Sequence, residues 1–162
     1  MSETALKDKN GEHPFGDAGQ LISLVIFLAV WASDSFFLHW STFLARHIPL
    51  AIRLAILALT SLTAFLLFKS ASSLIHFGEQ QEHVYQSGAF RYVRHPVYFG
   101  TLLFYFGMSM ATASLISLAV LAGIFFFYNS IARFEEKLLE DRFGEAYKIY
   151  KKRTGRWVPK IV

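Results

Sequence analysis

The 162-residue chain has no cysteine. That excludes disulfides, thiolate nucleophiles and cysteine-ligated metal, and it leaves the redox compartment open. Charge is scarce as well: Asp, Glu, Lys and Arg make up 17% of the residues, against about 25% in soluble domains. The six histidines (His13, His39, His47, His76, His83, His95) lack the i, i+4 pairing of a zinc-binding helix, so no metal is expected. No glycine-rich phosphate loop, GxSxG elbow, internal repeat or low-complexity tract occurs. Residues 1–17, MSETALKDKNGEHPFGD, are polar, mixed in charge and broken by Gly11, Pro14 and Gly16. A signal peptide needs an apolar core directly behind a basic start, and none is there. This stretch reads as a polar lead, with residues 18–162 forming a single domain.

Apolar side chains dominate what remains. Hydrophobic residues reach 54% and phenylalanine alone counts 17, above the roughly 45–50% apolar content of soluble domains. A chain this short has too little interior to hide so much apolar surface, so lipid is its expected solvent. The first apolar stretch, about 18–37, has roughly the 20 residues a helix needs to cross a bilayer core. A second runs over about 48–68, with Arg53 near enough to its start to snorkel. From 97 to 130 the run is too long for one span. The weakly polar patch Ser109-Met110-Ala111-Thr112-Ala113-Ser114 divides it into helices over about 97–112 and 114–132. The fold class is therefore all-α, a polytopic membrane protein of about four transmembrane helices with a C-terminal helical tail.

Of the 16 Lys and Arg residues, 14 fall in the lead, the 69–97 connection and the tail, and 2 (Arg46, Arg53) near the first connection. By the positive-inside rule both termini and the 69–97 connection are cytoplasmic. In the tail, Phe134, Leu138, Leu139 and Phe143 recur at helical spacing and extend the fourth span out of the membrane. Gly144 interrupts it, Ala146, Tyr147, Ile149 and Tyr150 start a second amphipathic piece, and Gly155 and Pro159 close the fold. Lys151, Lys152 and Arg153 suit anionic lipid headgroups, and no nucleic-acid partner is expected.

Three places carry chemistry. Asp34 lies inside the first apolar run, where an acid is by default functional or paired; near the span's end it is also able to meet water or the Arg53 region. In SGAFRYVRHPVYFG (87–100), Pro96 suits the first turn of a helix. Arg94 and His95 then stand at a helix start whose unpaired amides favour an anionic group, or they merely mark the interface. Gly100 and Gly107 allow close approach by another helix or a ligand. Glu135 and Glu136 leave the fourth span on the same side as His95. They form either a solvated face or carboxylates turned to a cationic or hydroxyl-rich ligand.

In order, GAFRYVRHPVYFG, FEEKLLEDRFGEAYKIYKKR and RWVP resemble the isoprenylcysteine carboxyl methyltransferase and phospholipid methyltransferase superfamily, over about 76–159. The resemblance implies integral membrane enzymes that bind S-adenosylmethionine at the cytoplasmic surface and methylate a lipidic or prenylated acceptor. Carried over residue by residue, it implies cofactor contacts from His83, Val84, Tyr85, Phe90, His95, Pro96, Val97, Tyr98 and Glu135. Two positions depart from the pattern. The GxG expected after the RHP motif is Gly107-Met108-Ser109, and the acceptor-binding arginine expected one turn before the acid pair is Ile131, flanked by Asn129 and Arg133. Arg94, His95, Asn129 and Arg133 are then the candidates for catalysis and acceptor recognition. A carboxylate acceptor needs no general base, whereas an amine must lose a proton, to His95 or a glutamate. The carboxylate is slightly favoured. The competing readings are a nicotinamide-dependent membrane reductase of the sterol-reductase type and a non-enzymatic membrane sensor on the same fold.

Overall fold

The computed structural model describes residues 16–74 and 83–160. Most of the polar lead, with His13, and the stretch containing His76 lie outside the described residues. The chain is all-α: α1 Gly16–Ala32, α2 Leu50–Ser72, α3 Pro96–Thr112, α4 Leu115–Phe143 and α5 Glu145–Arg153. A π-helical turn, Ser33–Leu38, extends α1, and 3-10 turns occupy Phe43–Arg46 and Gly88–Arg91. Among the described residues there is no strand, only an isolated bridge between Val93 and Gly155.

Three helical stretches are long and apolar enough to cross a membrane: Ala18–Leu38, Leu50–Ser72 and Leu115–Phe143. The fourth expected span, α3, is shorter. Its length is fixed at one end by Pro96 in the first turn and at the other by Ala113, which takes the left-handed conformation (φ 53°). Its 17 residues rise about 25 Å, the lower limit for a bilayer core of about 30 Å. The Ser109–Ser114 patch does form the expected tight turn, because Ser114 caps α4 by accepting from Ser117 N at 3.1 Å. With 29 residues, α4 rises about 43 Å and so carries its charged last turns beyond the lipid.

The principal packing is α2 along α3, and α1 and α3 against α4. Gly107 makes the first contact possible. A Cβ there would lie 2.1 Å from Thr60 Oγ1, and one at Gly100 would lie 3.2 Å from the Ala64 carbonyl. Both glycines therefore serve helix approach. Ser109, at the second glycine position of the expected GxG, is buried and donates to the Tyr105 carbonyl at 2.9 Å. The core is built from Phe27 of α1, Tyr98, Leu102 and Tyr105 of α3, and Ile124, Tyr128 and Ile131 of α4. Phe27 and Tyr105 stack with ring centroids 4.2 Å apart. Elsewhere apolar side chains face outward, for example Leu59, Leu62 and Phe65 of α2, as lipid-facing helices require.

Asp34 turns out to be paired. Its carboxylate accepts from Ser41 N at 3.0 Å and from the hydroxyls of Ser41 and Ser114, the latter at 2.6 Å. It thereby ties the end of the first span to the α3–α4 turn. Arg53 meets other groups: it donates to the Ala111 carbonyl at 2.7 Å and the Ile48 carbonyl at 3.2 Å, closing the free end of α3.

Candidate active site

At the opposite end of α3 the side chains converge on a pair of buried acids, Glu135 and Glu136. Glu136 projects from α4 and is 1% exposed. Arg94, two residues ahead of α3, donates from Nε to Glu136 Oε1 at 2.9 Å. It also donates from Nη1 to the carbonyls of Lys151 and Thr154. Arg156, just past α5, grips the same carboxylate with a fork, Nε to Oε1 at 2.8 Å and Nη2 to Oε2 at 2.7 Å. Its remaining Nη1 donates to Asn129 Oδ1 at 2.9 Å. Such a buried charge is stable because two guanidiniums satisfy it, Arg156 through a bidentate fork and Arg94 through a single bond. Lys151, at 3.7 Å and more exposed, adds little.

The backbone enforces this convergence. Arg94 N donates to the Gly155 carbonyl at 2.9 Å, where the Val93–Gly155 bridge draws the residues after α5 against the approach to α3. Gly144, with φ 55°, supplies the left-handed turn that folds α5 back from α4.

His95 sits between the two acids. Its Nε2 is 3.3 Å from Glu136 Oε1 and its Nδ1 3.5 Å from Glu135 Oε2. Burial pushes its pKa below the ordinary histidine value and the guanidiniums of Arg94 and Arg156 add to this, against the opposing pull of Glu136. A neutral imidazole carries one N–H. That hydrogen is shared with the flanking carboxylates, so His95 links Glu136 to Glu135. Glu135 is oriented by Tyr98, whose hydroxyl donates to Oε1 at 2.6 Å. The imidazole stacks on the Tyr98 ring at 5.7 Å and meets Trp157 at 5.9 Å. Trp157 in turn donates to Asn129 Oδ1 at 3.3 Å.

Of the residues expected from sequence, Arg94, His95, Tyr98, Asn129 and Glu135 come together here, and Pro96 is buried beneath them. Arg94 and Asn129 belong to the ionic framework. His83, Tyr85 and Phe90 form an aromatic strip of their own, with ring separations of 5.5 and 5.7 Å, and Val84 lies between them in sequence. That strip is anchored by Tyr150, which donates to the Phe90 carbonyl at 2.7 Å, and by Ser70, which accepts from Ala89 N at 2.9 Å. Val97 turns the other way, into a cleft between α1 and α2. Arg133 is exposed and joins none of these contacts among the described residues. Ile131 is part of the core, 3% exposed.

Sequence reasoning missed Glu136 as the hub, and with it Arg156 and Trp157. The RWVP run held the only signal for the last two. Twenty positions separate Arg156 from its partner, and no local period links them.

The described residues thus form an all-α bundle with lipid-facing helices and a pair of carboxylates buried at a helix end. The family model described as phospholipid methyltransferase matches residues 49–146, more than half of the chain, and the chain belongs to this family of membrane methyltransferases. The match begins at α2 and ends within α5, short of Arg156 and Trp157. A comparison with curated proteins finds no match.

Proposed function

We propose that the chain is an S-adenosylmethionine-dependent methyltransferase acting on a headgroup atom of a membrane lipid. The observation that supports this reading is the cluster of His95, Glu135 and Tyr98, with Glu135 Oε2 and His95 Nδ1 3.5 Å apart, at the start of α3 in a bundle whose helices face lipid. Within the family, S-adenosylmethionine, when bound, supplies a methyl group on a cationic sulfur. The side chains here suit such a donor: Glu135 and His95 accept from its ammonium, Tyr98 orients Glu135, and Trp157 offers an aromatic face to a cation. Tyr85 and Phe90, with His83 and Val84, line the approach in the resembling pattern. The chain's task is to hold donor and acceptor in line and keep water out.

A carboxylate acceptor needs a cation within reach. Arg94 is engaged by Glu136 and two carbonyls, Arg156 by Glu136 and Asn129, and Arg133 stands exposed. The slight preference for a carboxylate thereby loses its support, and an amine headgroup is the acceptor these side chains favour. Glu135 or His95 Nδ1 takes the proton that the amine loses. We place α3 in the membrane as a fourth, short span, with both termini and the His95 end cytoplasmic, on the basis of the 14-to-2 basic asymmetry.

The test is radiolabelled methyl transfer by the purified full chain to phosphatidylethanolamine, total membrane lipids and a farnesylcysteine analogue. Label in phosphatidylethanolamine is expected. Label confined to water-soluble products overturns the lipid acceptor. Binding of reduced nicotinamide dinucleotide phosphate in place of S-adenosylmethionine restores the reductase reading.

A further inference from the structure

The residues after α5 make a turn that only glycine permits at position 155. A Cβ there would lie 1.7 Å from the Val158 carbonyl oxygen. Gly155 is bridged to Val93 and accepts from Arg94 N at 2.9 Å, which brings the next two side chains against α4. Arg156 forks onto Glu136, and its third nitrogen donates to Asn129 Oδ1 at 2.9 Å. Trp157 Nε1 donates to the same oxygen at 3.3 Å. Its ring meets those of His95, 5.9 Å away, and Phe125, 5.7 Å away. Guanidinium and indole nitrogens only donate, so the atom they share is necessarily the amide oxygen. Asn129 and Glu136 stand seven residues apart, two turns along one face of α4. Arg156 spans both and is held at three nitrogens.

Around His95 stand two carboxylates, Glu135 and Glu136, and two guanidiniums, Arg94 and Arg156. The remaining polar neighbours are Tyr98 of α3, stacked on the imidazole, and two residues of α5 near Glu136: buried Tyr147, and Lys151 at 3.7 Å from the more exposed side. The two acids and two guanidiniums balance in formal charge, and burial then favours an uncharged imidazole. Without Arg156, Glu136 keeps one guanidinium through a single bond. His95 Nε2, 3.3 Å from Glu136 Oε1, is the buried group at hand that gains a positive charge by taking up a proton.

We infer that Arg156 is a positioning residue of the site: by occupying both oxygens of Glu136 it holds His95 as an uncharged link between the two acids, beside which a cationic methyl donor is able to bind. Its consequence for binding rests on the S-adenosylmethionine reading above; its effect on His95 does not. Arg156 acts through Glu136 and touches neither donor nor acceptor. A protonated His95 would repel the sulfonium and ammonium of the donor. The chain after α5, beyond the stretch that the family model matches, thereby sets the charge of the site.

The experiment is NMR of the full chain in detergent, with isotope-labelled histidine and no cofactor. The His95 signals are assigned by their loss in His95→Asn. In the wild type His95 should titrate below the ordinary value of about 6.5. Arg156→Gln should raise the midpoint by about one unit, a tenfold gain in proton affinity, and Arg156→Lys, which keeps the charge, by less than half as much. Glu136→Gln should leave the midpoint no higher than in the wild type. A site that had merely loosened would admit water and raise both glutamine variants alike. A rise in Glu136→Gln, an unchanged midpoint in Arg156→Gln, or a Lys variant that shifts as far as the Gln variant each overturns the inference. If Arg156→Gln does not fold, the Glu136→Gln and Arg156→Lys outcomes still decide it. Isothermal titration of S-adenosylmethionine supplies the second reading: Arg156→Gln should bind nearly as the wild type does at about pH 8 and several-fold more weakly at about pH 6. An equal loss at both pH values overturns the positioning role. No binding by the wild type at either pH removes the proposed function and leaves the His95 titration standing.

Discussion

Each end of α3 buries a carboxylate in a protein that faces lipid, and the two are handled differently. Asp34 is met by neutral donors, chiefly Ser41 and Ser114, which also cap or brace neighbouring turns. Every bond it makes serves the connection between α1 and α4. Glu136 is met by two guanidiniums, and His95 links it to a second acid, Glu135, which Tyr98 orients. The difference teaches that a buried acid in a membrane helix is not by itself a sign of function. What separates the two ends is that the Asp34 carboxylate is held by hydroxyl and backbone donors, whereas Glu136 lies in a cluster of charged and titratable side chains.

The largest expected effect comes from removing one cation of the hub. Arg94→Met leaves Glu136 short of a partner and removes the donor to the Thr154 carbonyl, so unfolding in detergent should show a loss on the order of 3–5 kcal/mol. Asp34→Asn keeps the shape but weakens charge-assisted bonds. It should cost about 1–3 kcal/mol in the same measurement while leaving S-adenosylmethionine affinity unchanged. An equal loss at both positions would show that the guanidiniums do not distinguish the two ends.

Acid titration separates the ends in another way. The folded His95 has its pKa lowered by burial, so the unfolded chain binds the proton first. Its contribution is complete above about pH 6.5 and is lost as pH falls below that value, at up to about 1.4 kcal/mol per unit. Unfolding followed from pH 7.5 to 5 should show this slope in the wild type and a shallower one in His95→Asn. The smallest effect is expected at Arg133→Ala, within about 0.5 kcal/mol of wild type. A large change there would restore Arg133 to the site.

Most of the architecture was legible in the sequence because lipid imposes long apolar runs that few other structures use. The division at Ser109–Ser114, the extension of the fourth helix and the break at Gly144 all followed from local signals. The length of α3 was legible too: the expected 97–112 matches Pro96–Thr112, set by Pro96 at one end and the left-handed Ala113 at the other. At the site, His95, Tyr98 and Glu135 were legible through motif order. The roles of Arg94 and Glu136 were not. Whether an arginine meets a ligand or a buried acid depends on where residues 154–157 fold back, and that is a long-range fact. The Asp34 cluster was hidden for the same reason: its partner Ser114 lies eighty residues away.

The most direct test is isothermal titration of S-adenosylmethionine into the wild type, Glu135→Gln and Asp34→Asn. Loss of a charge-assisted contact should weaken binding to Glu135→Gln by about tenfold or more, while Asp34→Asn binds as the wild type does. Equal affinity in all three would contradict a cofactor site built on Glu135 and His95.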